Sequence, residues 1–351
     1  MLNGEPFIRY NLRAIYPFAH QIIVVEGACA AAAAVARHDG HSADGTLESL
    51  MRFKAEEDPE QKLVIVSAAE EGYTAGFWPE KNEMCWAYAR RATGNYLWQI
   101  DSDEFYHEAD MPKILALLEE GVDAISFPTL HFWGGVDYIV NGFHMICDGY
   151  REYHRLFAWG PGYAYRNHRP PTVVDDQGRD VRSKQWVRAT ALERLGVWMY
   201  HYTYLFPHQV FSKASYYSGW SQGKLQQRGH IPKADRWARE VYIGLKRPYR
   251  MFIREQCISW VERHIGAQPS EVTRMMEDVR QGRVQVETRT QTDLQRLLSS
   301  RLYRLNSGFL RLSAGWLAGP AGWWLRRYSL ALVRRLRNGA LLCRMRPRPS
   351  A

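Results

Sequence analysis

Two carboxylates one residue apart, Asp101 and Asp103, stand at the end of the apolar run Tyr96-Leu97-Trp98-Gln99-Ile100. If that run is a strand, side chains alternate with period two and both carboxylates leave on the same side of the chain. Two anions that close repel each other. A hard divalent cation such as Mg2+ or Mn2+ relieves the repulsion and keeps positions open for phosphate oxygens. The pattern points to chemistry on a phosphorylated substrate, but a lone Asp-x-Asp is common by chance, so the elements around it decide its weight.

Those elements alternate. Upstream, Lys81 to Ala92 carries Met84, Tyr88 and Ala92 at helical spacing, with Cys85 and Ala89 on a neighbouring row, Pro79 before it and Gly94 after it. Gly94 sits where a helix end often needs a left-handed residue. Downstream, Asp110 is a candidate N-cap with Pro112 in the first turn, followed by Ile114, Leu115, Leu117 and Leu118, with Gly121 as the stop. The segment from Val122 to Phe127 then reads as another strand. Helix, strand, carboxylates, helix, strand is an α/β order, in which ligands gather at the carboxyl ends of strands.

With these elements in place, Lys81-Asn82, Ala92-Thr93-Gly94-Asn95-Tyr96 and Ile100-Asp101-Ser102-Asp103-Glu104-Phe105 resemble the centre of a family 2 glycosyltransferase with a GT-A fold. Gln21 to Gly27 resembles the family's second strand, and His41-Ser42-Ala43-Asp44-Gly45-Thr46 its Gly-Ser-x-Asp-Gly-Thr turn. The resemblance spans roughly residues 3 to 210. It implies an α/β GT-A fold, a Rossmann-like mixed sheet, and transfer of a sugar from a nucleotide-diphosphate donor to a glycan or lipid-linked acceptor, by an inverting mechanism. It also implies roles for residues. Asp103 would ligate Mn2+ or Mg2+, with Asp101 reaching the ribose or the metal through water; Glu26 and Asp44 would lie at the nucleoside, and Lys81 would face the diphosphate. His201 would be a third metal ligand.

Two departures from the family stand out. Ala28 to Gly40, with the run Ala30 to Ala34, separates motifs that the family keeps nearly contiguous. A surface excursion is the expectation, since loops tolerate insertions, and a short helix over the nucleotide site is the alternative. Asn3-Gly4-Glu5-Pro6 already looks like the start of the first helix, so the first, central strand is missing. Its neighbours would expose unpaired ladder groups, and the expectation is a natural reading frame that begins upstream of Met1.

For the acceptor's proton an inverting enzyme needs a general base, and the candidates are Asp148, Glu152, Asp175 and Asp176. Glu152 has Arg151 and Arg155 nearby to keep it ionised, and it is the base expected here. Trp133, Tyr138, Trp159, Tyr163 and Tyr165, among glycines, suggest a sugar platform, because flat apolar faces with polar edges suit sugar rings.

The formal charge of +9 is a property of one end. Residues 301–351 hold eleven Arg and no Lys, Asp or Glu, whereas residues 1–300 carry 35 Lys and Arg against 37 Asp and Glu. The same end is rich in Trp and Leu, which describes a segment lying in an anionic membrane surface and argues against a polar nucleic-acid arm. Residues 211–300 read as a mainly helical accessory region. No run reaches the roughly 20 apolar residues needed to span a bilayer, and five unpaired-looking cysteines suit a reducing compartment. Together these place the chain at the cytoplasmic face of a membrane. Two alternatives differ in class: a nucleotidyltransferase on a related fold, and a non-catalytic membrane or nucleic-acid adaptor with a retired transferase domain.

Overall fold

The computed structural model describes residues 1–147, 151–221, 234–253, 257–319 and 322, so candidate base Asp148 and most of the basic end lie outside the described residues. The architecture is α/β with a mixed sheet. Its spine is β5 (Ala124–Trp133), buried at nine of its ten positions and longer than the Val122 to Phe127 strand expected. Pro128 cannot donate to a ladder, and it sits where β5 changes partners, so the missing N–H falls at a junction. Residues 124–128 of β5 pair with antiparallel β7 (Glu152–Ala158) and residues 129–133 with parallel β11 (Met199–Tyr204).

Around this spine the remaining strands complete an eight-stranded sheet: β3 (Tyr96–Trp98) on β7, β4 (Glu104–Tyr106) on β11, β6 (Tyr138–Gly142) and β10 (Trp186–Val187) on β5, and β12 (Ser259–Arg263) on β6. The described part of residues 211–300 is mainly helical, and its one described strand, β12, closes one edge of the sheet, in antiparallel register with β6 from Ser259↔Gly142 to Arg263↔Tyr138. A strand in the accessory region ties it to the core. Helix α9 (Ser270–Arg280) does the same from the other side, packing Val272 and Met275 against Phe7, Phe105 and Tyr202.

The expected helices form with shorter ends: α3 (Lys81–Ala89) and α4 (Met111–Glu119). Near the N-terminus, α1 (Ile8–Ile15) and α2 (Thr46–Glu56) cover a separate two-stranded parallel sheet of β1 (Ile22–Val25) and β2 (Leu63–Val66). Ile8, Leu12, Leu50 and Phe53 bury their side chains on Ile22, Val24 and Leu63.

Among the described residues no strand joins this small sheet to the large one. Ile22 and Glu26 donate to Lys62 and Val66 on β2, so the alternate residues Ile23 and Val25 turn their backbone groups the other way. Likewise Gln99 and Asn95 bond to Arg155 and Trp159 on the β7 side, which turns Tyr96 and Trp98 outward. Met1 alone makes a parallel bridge to β1: its ammonium donates to the Val25 carbonyl, and its own carbonyl accepts from Gly27 N–H at 2.9 Å. Both outward edges and Met1 line a single cavity of about 1120 Å3.

Candidate functional site

The acidic turn lines that cavity. Where β3 ends, Asp101 accepts from Glu104 N–H at 2.9 Å and closes a tight turn that starts β4, so Asp101 and Asp103 belong to a turn and not to an extended run. The period-two expectation fails for that reason, and the two carboxylates answer to different cations. Asp101 receives Arg155 at 3.1 Å, with its side chain 53 % exposed at the cavity mouth. Asp103 is buried; its Oδ2 accepts from Lys213 Nζ at 2.8 Å and Gln209 Nε2 at 2.9 Å, and its Oδ1 lies 3.6 Å from His201 Nε2.

Two irregularities of strand register aim these partners. Ile125 pairs with Leu156 but Ser126 pairs with His154, leaving Arg155 as one extra residue in β7. Such a bulge re-aims a side chain, and here it carries the guanidinium onto both Glu104 and Asp101. In β11 the register slips by one residue between His201 and Tyr204, and within that slip Tyr202 N–H reaches the Asp103 carbonyl at 2.8 Å. His201 and His131 are register partners on β11 and β5, which sets their rings 5.2 Å apart. Neither ring nitrogen of His131, nor Nδ1 of His201, has a hydrogen-bond partner among the described residues. Lys213 and Gln209 come from α7 (Pro207–Ser221).

The electrostatics follow from this placement. Burial acts to raise the pKa of Asp103, but Lys213 and His201 outweigh it and hold the carboxyl well below its usual range. At Asp101 burial is likewise overcome, chiefly by Arg155. Burial disfavours the charge on Arg155, yet Glu104 and Asp101 together hold the guanidinium firmly protonated. Burial pushes His131 far below the ordinary imidazole range, so it is neutral at pH 7.

Of the residues expected at the site, Asp101, Asp103, Lys81, Glu152 and His201 line the cavity, and Glu26 and Asp44 do not. Glu26 is fully buried with its carboxylate accepting from Ser42 N–H at 2.8 Å and paired with His41 at 2.6 Å, which fastens the end of β1 to the following loop. Asp44 accepts from the N–H groups of Glu5 (2.9 Å) and Thr46 (3.1 Å) and so fixes the start of α2. Both carboxylates satisfy backbone donors and neither lines the cavity.

Glu152 reaches the cavity wall, but Arg188 grips it through two bonds at 3.0 and 2.6 Å. Burial raises its pKa and Arg188 more than offsets the rise, leaving a carboxylate with little appetite for a proton. Asp175 is buried against Lys184 and Arg179 and is further depressed. The sugar platform dissolves on inspection of burial. Trp133, Tyr138 and Tyr165 are core residues, Trp159 and Tyr163 pack on the cluster around Leu97 and Phe157, and none of the five lines the cavity. Tyr88, Tyr96, Trp98, Tyr153 and Tyr204 line it instead.

The segment after Gly27 combines both expectations. Ala30–Val35 forms a short 3-10 turn that packs against α7, with Ala32 and Val35 on the cavity wall. It is a short helical turn with one side on the cavity wall, while Ala30, Ala31, Ala33 and Ala34 stay exposed at the surface.

Among the described residues no three His, Cys, Asp or Glu side chains converge as a ligand set, so Asp101, Asp103 and His201 do not fit a three-donor metal site as they stand. The Lys213 ammonium holds one oxygen of Asp103, and the Arg155 guanidinium holds Asp101. Arg155, Glu104, Lys213, Gln209 and His131 were not legible as site residues. Glu104 directly follows the Asp-x-Asp, but the strand bulge, the pairing of β5 with β11 and the return of α7 leave no mark in local spacing. Comparison with known protein families and with curated proteins finds no match to this chain.

Proposed function

We propose that the chain is a glycosyltransferase that moves a sugar from a nucleotide-diphosphate donor to a glycan or lipid-linked acceptor. The observation that carries this reading is an acidic turn at the carboxyl end of β3, lining a large cavity, with Lys81, Arg155 and Lys213 ranged around it. Carboxyl ends of strands in α/β sheets are where such ligands bind, and the cavity is slightly larger than the roughly 300–1000 Å3 usual for ligand sites. The order of motifs from Gln21 to Phe105 supports the same class.

Breaking the bond between the anomeric carbon and a phosphate oxygen places negative charge on the departing diphosphate. Fixed cations in a water-poor site stabilise that charge without reorganising. Lys213 and Lys81 line the cavity and meet this need; Arg155 holds the acidic turn in shape. Asp103 orients the Lys213 ammonium, and His131 and His201 offer ring nitrogens to hydroxyl groups of a bound sugar.

Thermal unfolding of the purified chain with UDP, GDP, CDP and dTDP, each with and without Mn2+, tests the reading, because a ligand that binds only the native state raises its stability. One diphosphate is expected to raise the midpoint, by about 4 °C at a hundredfold excess over Kd, and Asp103→Asn is expected to abolish the shift. No shift with any of the four would favour the adaptor reading.

A further inference from the structure

We propose that helix α11 (Arg301–Ala318) docks the protein onto an anionic phospholipid bilayer through one apolar stripe. Leu302, Leu305, Phe309, Leu312 and Trp316 are between 58 and 75 % exposed, a concentration of bared large apolar side chains on one element. Their spacing of three and four residues puts all five within an arc of about 80° at 3.6 residues per turn.

The other side of the same helix is fixed to the protein. Tyr303 and Ala314 are buried; the Tyr303 hydroxyl accepts from Val261 N–H at 2.9 Å, and the Cys147 thiol donates to the Ala314 carbonyl at 3.3 Å. Leu310 packs into the cluster around Trp260. The stripe is therefore held outward by packing on the opposite face and is not a helix awaiting its own core. Arg301, Arg304 and Arg311 lie along its flank, Arg311 with 68 % of its side chain exposed and its head 3.7 Å from Glu262.

Charge selects the occupant. A second copy of this helix would bring its own arginines, and residues 301–351 offer no Asp or Glu to receive them. A bilayer with anionic headgroups matches both features, since Arg pairs with phosphate while Leu, Phe and Trp enter the acyl boundary. No described helix is long and apolar enough to cross a membrane, so the geometry is that of a helix lying in the surface. Docking of α11 is independent of which reaction the cavity performs.

The test uses the full chain and vesicles of phosphatidylcholine with one-third phosphatidylglycerol, against vesicles of phosphatidylcholine alone. Co-sedimentation with the anionic vesicles, a blue shift of tryptophan emission, and weakening by salt are expected. In the double variant Phe309→Glu, Leu312→Glu, vesicle affinity is expected to fall at least about tenfold, with an unchanged thermal midpoint because both positions are exposed. Undiminished co-sedimentation of that variant, equal binding to neutral vesicles, or no binding by the parent chain would each overturn the proposal. So would sedimentation velocity showing a lipid-free dimer that the double variant splits, which would assign the stripe to a second copy.

Discussion

Asp103 illustrates how much a single residue depends on what faces it. Its depressed pKa comes from Lys213 and His201, which lie 110 and 98 positions away in the chain, and the same carboxylate without them would be an ordinary buried acid. Glu152 shows the converse. Its position on the cavity wall suits a general base, but the Arg188 fork and the Ala189 N–H leave it ionised and occupied. Glu152→Gln is therefore expected to lower turnover less than about tenfold, well short of the 10²–10⁴ usually lost with a general base. A steady-state measurement with saturating donor checks this, and a loss of about a hundredfold or more at unchanged donor KM would return Glu152 to the base's role.

At the scale of elements, the register shifts in β7 and β11 turn a regular sheet into a site. Without the extra residue at Arg155 the guanidinium would follow the strand alternation and leave Glu104 buried without its counter-charge, a situation that costs about 3–5 kcal/mol. The outward edges of β1 and β3 are the other informative feature. Among the described residues no strand pairs with them, and they share the cavity with Met1, whose backbone already bridges to β1. Ladder groups left unpaired are an opening for an added strand. Five residues of alternating Val and Thr fused before Met1 are expected to raise the unfolding midpoint by about 4 °C, relative to a fused Gly-Ser segment of equal length. Equal midpoints for the two fusions would mean that the slot does not take a strand.

For the whole molecule, the buried histidines make stability depend on pH. Burial lowers His154 to about 4 and His168 to about 4, and holds His131 well below the ordinary imidazole range. At His154 burial is the main cause, with the nearby Arg182 adding to it; the ring packs with Nδ1 2.6 Å from the Ser126 hydroxyl, which itself accepts from Trp186 Nε1 at 2.8 Å. Folded, these rings stay neutral where the unfolded chain, with imidazoles near 6.5, takes up protons. The contribution of His154 and His168 is complete above about pH 6.5 and is lost as pH falls toward 4, on the order of 1 kcal/mol for each of the two rings after allowance for partial solvent access. Unfolding midpoints measured across this window are expected to decline with acid, and His154→Gln should flatten the decline; a midpoint that stays level would refute the assignment.

The sequence by itself determined the local events: helix α3 from its four-residue spacing, the strand before the acidic pair, helix α4 from its cap and Pro112, and the concentration of arginine at one end. Each depends on neighbours within a few positions, where helix and strand periods are written directly into the order of residues. The tertiary structure alone decided which charges meet. Glu26 and Asp44 became fasteners of their own loops, Glu152 became the partner of Arg188, and the aromatic stretch went into the core. Arg155 and Lys213 became the cations of the acidic turn. Those outcomes rest on a bulge, on strand neighbours distant in sequence and on a returning helix, and contacts between residues a hundred positions apart leave no periodic trace in the chain that makes them.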